Sequence, residues 1–180
     1  MIQRTVVLVV LFVALAGASL AAAQEKKAEP GPVTSTVKTL LERNTKNLVA
    51  AAEAMPADKY NFKPTADQMT FAHLAVHTAE ANYFFCSRIA GEAQPEVKLS
   101  DADAKEKLLE ALKASFAYCS TALEKMDDSK LGDSVAFGQQ QRPRAAAMIG
   151  VATNWADHYG MAAMYLRLNG LLPPTAQPKK

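Results

Sequence analysis

Apolar residues recur at three- and four-residue steps in four stretches of the chain, which is the period of a helix with one buried face. The stretches span residues 33–55, 65–91, 100–126 and 143–170. No stretch of useful length alternates with the period of a strand. Because four amphipathic helices have no predicted sheet to pack on, they bury their apolar faces most simply against one another. The pattern therefore predicts an all-α fold, an antiparallel four-helix bundle.

Capping residues predict where the second and third helices begin. Thr65 with Gln68 has the spacing of a capping box, and Ser100 with Asp103 has the same spacing ahead of the third helix. Between the third and fourth helices, residues 127–142 break the helical period and contain turn glycines. This segment is predicted to be a long crossover between helices 3 and 4.

The fourth helix carries a polar residue in the middle of its apolar face. His158 lies among residues that repeat with the helical period, which are Ile149, Ala152, Trp155, Ala162, Tyr165 and Leu166. Gly170, followed by two prolines, is expected to end the helix in a left-handed cap. Aromatic residues at helical spacing, including Tyr83, Phe84 and Phe85 on the second helix, are assigned to packing.

The two ends of the chain are predicted to lie outside the bundle. Arg4 precedes an apolar run, and small residues up to Ala23 form a cleavage pattern, as in a secretory signal peptide. An uncleaved membrane anchor is the alternative, since the run approaches the roughly 20 residues that span a bilayer. The predicted divisions are a signal peptide, a flexible tether, the bundle domain and a disordered tail, at residues 1–23, 24–32, 33–174 and 175–180. The mature protein is then exported, periplasmic or secreted, and free of the membrane.

Charge and motifs exclude several classes of function. The formal net charge is +2 and includes Arg4, so the mature chain is nearly neutral. Lys and Arg do not cluster with interleaved aromatic residues, which argues against a nucleic-acid partner. No Ser-His-Asp order, phosphate-binding glycine loop or Cys-x-x-Cys motif indicates another class of enzyme.

The three histidines are the main candidates for chemistry. His73 and His77 are four residues apart, so they share one face of the second helix, about 6 Å apart at their β-carbons. If helices two and four face each other, His77 and His158 converge, and neutral imidazole suits zinc, nickel, iron or copper. The alternative is a pair of core histidines hydrogen-bonded to Glu80 or Asp157.

Three stretches resemble one known family. They read FAHLAVHTAEANYFFC, FAYC and DHYGMAAMYLRLNGLLPP, at residues 71–86, 116–119 and 157–174. The layout of residues 33–174 resembles the DinB-like four-helix bundles, and especially the exported members of that superfamily. The His-Tyr-Gly sequence that begins at His158 is the most specific part of the resemblance.

The resemblance implies a metal site with one histidine on helix two and a pair four residues apart on helix four. His77 and His158 occupy two of these positions, but the third is Asn154, whose amide oxygen is a weaker ligand than imidazole. Met161 stands where the family usually has a polar residue. His73 is an alternative third ligand, although two neighbouring ligands on helix two are not the layout of the family.

The resemblance also implies a function. Members include thiol-dependent transferases and isomerases, in which the metal activates a small thiol. The expected cofactor is a divalent metal, zinc, nickel or iron, and the expected partner is a small molecule such as a low-molecular-weight thiol, with transfer or hydrolysis as the reaction. The alternative is a non-catalytic binding or stress-related module without bound metal. Because such bundles often pair through exposed helix faces, a homodimer is also expected.

The two cysteines are candidates for a disulfide. In the family that the chain resembles, helices two and three are neighbours, so Cys86 and Cys119 could be bridged if their α-carbons come within roughly 7 Å. Export favours the bridge. The alternative is two buried free thiols that act as small apolar residues.

Overall fold

The computed structural model describes residues 29–178, and within them four helices form the body of the molecule. These are α1 (Gly31–Ala54), α2 (Phe71–Ala90), α3 (Lys105–Glu124) and α4 (Arg144–Leu168). Strand β1 (Ser134–Phe137) pairs antiparallel with β2 (Gln140–Pro143), and short 3-10 turns lie at Ala57–Lys59, Asp128–Lys130 and Pro174–Ala176. The predicted all-α four-helix bundle is confirmed.

The four helices form a square in which α1 and α2 each pack against α3 and α4. Asn82 bonds to Ser115, and Cys86 pairs with Cys119 one turn further along both helices, so α2 and α3 run in the same direction. Helix α4 runs in the opposite direction to α2. Arg144 at the start of α4 bonds to a carbonyl at the end of α2, and Trp155, further along α4, bonds to Asn82. Neighbouring helices are therefore not all antiparallel.

The connection between the parallel helices α2 and α3 runs the length of the bundle. It leaves α2 near Glu92, which is 2.9 Å from the ammonium of Lys125 just past the end of α3. It passes beside α2, where Asp101 bonds to the ring of His73. It enters α3 at Lys105, whose ammonium bonds to carbonyls at the end of α1. Residues 91–104 thus form a crossover, as bundles with parallel neighbours require.

The predicted crossover between α3 and α4 stays at one end of the bundle and contains the β1–β2 hairpin. The hairpin docks on α2, because Arg88 donates to the Ala136 carbonyl at 3.0 Å and its guanidinium lies 3.5 Å from the centre of the Phe84 ring. The sequence predicted no strand here. Val135 is buried, but every residue of β2 is exposed, so the second strand has no alternating pattern to detect.

Helix α1 begins at Gly31, two residues earlier than predicted, so Gly31 and Pro32 belong to the helix and not to the tether. Asp128 accepts hydrogen bonds from the backbone N–H groups of Val33 and Thr34, at 2.9 and 2.8 Å, and so caps the helix from a distant part of the chain. Gly31 has φ +73°, and a Cβ there would lie 2.5 Å from the carboxyl carbon of Asp128. Only glycine fits this contact.

Helix α2 begins later than predicted. Thr65 and Gln68 form only a turn, and the capping hydrogen bond is made instead by Thr70, whose side chain accepts from the backbone N–H of His73 at 3.0 Å. The capping-box prediction at Thr65 was therefore wrong. A capping box is a local motif that is also satisfied within a turn that does not continue as a helix.

The predicted cap of the third helix is also a turn. The Ser100 carbonyl accepts a hydrogen bond from the Asp103 backbone N–H, and the Asp103 carboxylate accepts one from the Ser100 backbone N–H, both at 2.9 Å. These are capping interactions, but α3 starts only at Lys105. The boundary at Ser100 was wrong for the same reason as that at Thr65.

At the other end, the ordered chain continues past the predicted domain boundary at residue 174. Gly170 adopts φ +74°, as the predicted left-handed cap requires. Thr175 then bonds to the hydroxyl of Tyr159, at 2.8 Å through its side chain and at 3.0 Å through its backbone N–H. The start of the predicted tail is therefore held against α4.

Part of the sequence prediction lies outside the described residues. The predicted signal peptide, the tether up to residue 28 and the last two residues of the tail are among these segments. Within residues 29–178, no helix combines the length and apolar character that a membrane span needs.

One buried polar cluster joins three helices inside the core. The amide nitrogen of Asn82 donates to the Ser115 hydroxyl at 2.9 Å, and its amide oxygen accepts from the indole N–H of Trp155 at 2.6 Å. All three residues are fully buried. Asn82, Ser115 and Trp155 therefore fix the positions of α2, α3 and α4 relative to one another.

A covalent link lies one turn from this cluster. Cys86 and Cys119 are joined as a disulfide between α2 and α3, with their α-carbons 5.1 Å apart. Both residues are fully buried. The bridge closes a loop that contains the whole crossover between these helices.

Replacing Asn82 with alanine should lower the free energy of unfolding by about 3 kcal/mol, because the indole N–H of Trp155 would lose its partner in the core. Urea denaturation measures this change. Asn61→Ala is the matched control, since Asn61 is exposed, and it should change stability by less than about 0.5 kcal/mol. Equal stability of the two variants would contradict a structural role for Asn82.

Thiol titration of the unfolded, unreduced protein should find no free thiol. The Cys86→Ala, Cys119→Ala double variant should be less stable than the unreduced protein by about 3 to 4 kcal/mol, because opening the loop restores conformational entropy to the unfolded chain. Two titratable thiols in the unreduced protein would contradict the bridge.

Candidate functional site

The rings of His77 and His158 meet where α2 and α4 pack together. Their centroids are 5.0 Å apart, and the ring planes are inclined by 30°. His77 is exposed, whereas His158 is only 4% exposed. The contact follows from the antiparallel packing of α2 on α4, which the hydrogen bond between Asn82 and Trp155 fixes. His158 lies one turn after Trp155 on α4, and His77 lies just over one turn before Asn82 on α2, so the two histidines meet.

The buried imidazole has a defined tautomer. Nδ1 of His158 is 2.7 Å from the backbone carbonyl of Asn154, and a carbonyl can only accept. Nδ1 therefore carries the hydrogen and Nε2 has the free lone pair. Burial lowers the pKa of His158 below its usual value, and the neighbouring His77 adds to this, whereas the hydrogen bond to Asn154 and the charge of Asp157 oppose it. A neutral imidazole with a free Nε2 is the form that binds a metal.

Asn154 supplies a second unsatisfied acceptor. Its side-chain oxygen is buried and has no hydrogen-bond partner in the part of the chain that the structure describes. Asn154 lines the same cleft as His77. Because a buried acceptor without a partner is costly, a cation or a hydrogen-bond donor that reached this atom would remove that cost.

The third histidine is engaged elsewhere. Nδ1 of His73 lies 2.9 Å from the carboxylate of Asp101 on the α2–α3 crossover. Its ring is parallel to that of His77, but the centroids are 6.2 Å apart. His73 thus ties the crossover to α2. The carboxylates considered as partners of the other two histidines, Glu80 and Asp157, form no hydrogen bond with them in residues 29–178.

A cleft of about 490 Å³ opens beside His77, between α2, α4 and the α2–α3 crossover. Tyr83, Phe84 and Phe85, here named the aromatic wall, line one side, and Pro95 and Val97 of the crossover also contribute. The sequence assigned the aromatic wall to packing alone, but all three of its residues are only partly buried. A volume of this size suits a small organic ligand.

The donors at this cleft match only part of a typical metal site. Within residues 29–178, no group of three or more His, Cys, Asp or Glu side chains is arranged to hold a metal ion. Two imidazoles and one amide oxygen are present instead, whereas a catalytic zinc usually has three stronger protein ligands. Two features of this set are compatible with ligation: burial lowers the pKa of His158, which favours the neutral imidazole, and the Asn154 side-chain oxygen has no hydrogen-bond partner within residues 29–178.

Comparison with known proteins identifies the family. The sequence model described as the DinB superfamily matches residues 40–162, which include both His77 and His158. The chain belongs to the DinB superfamily. A search of the curated proteins finds no match.

Solved structures of the DinB superfamily share this fold. A DinB-like protein from Bacillus subtilis has a TM-score of 0.65 at 18% identity, covering 80% of this chain and 99% of that one. A DinB-like protein from Bacillus cereus has a TM-score of 0.66 at 14% identity, with 78% and 95% coverage. A mycothiol-dependent maleylpyruvate isomerase has a TM-score of 0.59 at 14% identity, with 72% and 60% coverage. At these identities the likeness concerns the fold.

This DinB-superfamily chain departs from the expected site layout at two positions on α4. Asn154 contributes an amide oxygen instead of an imidazole, and it lies one turn before His158, in the expected register. Met161 is partly buried and packs against the core. The structure brings His77, His158 and Asn154 together around one region, and it pairs His73 with Asp101 instead.

The lowered pKa of His158 predicts a pH dependence of stability. The unfolded chain takes up a proton at this residue near pH 6.5, whereas the folded protein does so only at lower pH. The contribution of His158 to the free energy of unfolding should therefore be constant above about pH 6.5 and should fall as the pH drops below it.

Urea denaturation between about pH 8 and about pH 5 tests this dependence, and His158→Gln should reduce the slope below about pH 6.5. Nuclear magnetic resonance titration of the imidazole hydrogens gives the pKa directly. A midpoint for His158 at or above its usual value would contradict the effect of burial.

Proposed function

We propose that this DinB-superfamily protein is exported and binds a small molecule in the cleft beside His77 and His158. In this proposal the two imidazoles hold a divalent metal ion, zinc, nickel or iron, with Asn154 as a weak third contact. The main support is that the imidazoles of His77 and His158 lie 5.0 Å apart at their ring centroids. In addition, the buried side-chain oxygen of Asn154, one turn before His158, has no hydrogen-bond partner within residues 29–178.

At such a site, the residues of the chain would have different roles. A bound divalent ion supplies Lewis acidity, which stabilises a thiolate or activates a water molecule. The Asn154 carbonyl holds His158 in the tautomer whose Nε2 is free. His77 is exposed and lines the cleft, so its ring lies at the boundary between the buried imidazole and the ligand.

Two further observations support the expected partner and location. The mycothiol-dependent isomerase among the structures with this fold makes a low-molecular-weight thiol the first candidate partner, with transfer or hydrolysis as the reaction class. The buried disulfide Cys86–Cys119 suits the oxidising environment of the periplasm or the exterior, because such bonds persist there.

A second candidate function is a non-catalytic binding or stress-related module without metal. It is favoured by the asparagine at position 154 and by the stacking of the His77 and His158 rings, since ligands of one ion usually direct their nitrogen atoms at a common point. In this case His158 is a core histidine satisfied by the Asn154 carbonyl, and the cleft still binds a small molecule.

Calorimetric titration of zinc into untagged protein distinguishes the two functions. The unmodified protein should bind zinc more tightly than the His77→Ala, His158→Ala double variant. Asn154→His should tighten binding further, by about tenfold or more, because imidazole replaces a weak amide ligand at the expected spacing of four residues. His73→Ala is the matched control and should change zinc affinity little.

The control and the gain-of-binding variant make the outcome decisive. Zinc affinity of the unmodified protein equal to that of the double variant would contradict the metal site. If the Asn154→His variant binds zinc and the unmodified protein does not, this chain has kept the geometry of the family site but lost its metal function. That result would support the non-catalytic module.

A further inference from the structure

The charges around the cleft are predominantly acidic. Glu80 lines the cleft, and Asp157 lines an adjoining depression of about 410 Å³ that shares Phe85 and Asn154 with it. Glu80 and Asp157 are here named the acidic rim, and both are exposed. No Lys or Arg is among the described residues that line either space. The electrostatic potential of the combined groove therefore favours positive ligands.

One guanidinium lies near the groove, but it is already engaged. Arg88 stacks on the ring of Phe84 with 3.5 Å between the guanidinium carbon and the ring centroid. It donates hydrogen bonds to the carbonyls of Phe84 and Ala136 and lines a different pocket, beside the hairpin. Its other donor contacts, at 3.4 Å, are with the side-chain oxygens of Ser87 and Gln94. Its position shows that Phe84 of the aromatic wall accepts a cation against its ring face.

The unsatisfied oxygen of Asn154 adds a directional requirement. Asn154 is among the residues that line both the cleft, which Glu80 lines, and the adjoining depression, which Asp157 lines. An amide oxygen accepts hydrogen bonds and cannot donate them. This oxygen is buried and has no hydrogen-bond partner within residues 29–178, so an ammonium group that reached it from the cleft would remove the cost of an unpaired acceptor.

We infer that the groove binds a small organic cation of the arylalkylammonium class, with its ammonium near the acidic rim and Asn154 and its planar body against the aromatic wall. The inference rests on the proposed use of this cleft for a small molecule, but it does not require the metal. A thiol partner would then carry an ammonium group and not several carboxylates, because carboxylates would meet Glu80 and Asp157.

Three probes with the same aromatic body test the inference: phenethylammonium, phenethyl alcohol and phenylacetate. Binding is measured by calorimetry near neutral pH in the presence of a chelator, so that metal does not contribute. Phenethylammonium should bind at least about threefold more tightly than the alcohol, and phenylacetate should bind most weakly. Glu80→Gln should weaken binding of phenethylammonium by about fivefold and leave the alcohol unchanged.

The matched control is Glu110→Gln, which removes the same charge from an exposed position on α3 and should leave all three affinities unchanged. Binding of the alcohol or phenylacetate as tight as that of phenethylammonium would overturn the preference for cations while leaving the cleft as a small-molecule site. An affinity for phenethylammonium that Glu80→Gln does not change would also overturn it. Binding of none of the probes would overturn both the inference and the proposed use of the cleft.

Discussion

The candidate site depends on a hydrogen-bonded cluster that lies below it in the core. Asn82 bonds simultaneously to Ser115 on α3 and to Trp155 on α4, and all three are fully buried. Apolar packing alone tolerates small shifts of one helix past another, whereas a buried amide with two partners is satisfied in only one arrangement. Because Trp155 lies next to Asn154 and one turn before His158, the cluster also sets the position along the bundle axis at which these two site residues face α2.

The parallel arrangement of α2 and α3 explains why a cleft exists beside this interface. A direct loop cannot join two parallel helices, so residues 91–104 return along the bundle and pass over the side of α2. The contact of Asp101 with His73 attaches this segment to the helix, and Pro95 and Val97 become part of the cleft wall. The disulfide Cys86–Cys119 closes the same loop and holds its two parent helices together.

The sequence predicted the elements of this fold better than their arrangement. Helical periodicity and the cap at Gly170 are local properties, and the structure agrees with both. Ile149, expected on the buried face, is 62% exposed, because periodicity gives the direction of a helix face but not the width of the stripe that neighbours cover. The role of Asn82 and the exposure of Phe85 to the cleft depend on partners distant in sequence, and no local pattern contains that information.

The side chain and the backbone of residue 154 contribute separately to the site. The backbone carbonyl of Asn154 fixes the tautomer of His158, and any residue in this helical position provides the same carbonyl. Exchange of the histidine expected from the family for asparagine therefore leaves His158 neutral, buried and free at Nε2, and changes only the group presented to the cleft. The altered group is an oxygen acceptor in place of an imidazole, and oxygen acceptors suit hydrogen-bond donors and hard cations better than soft metal ions. In our proposal, asparagine at position 154 would therefore weaken metal ligation and favour a ligand that donates a hydrogen bond, while the backbone that holds His158 stays the same.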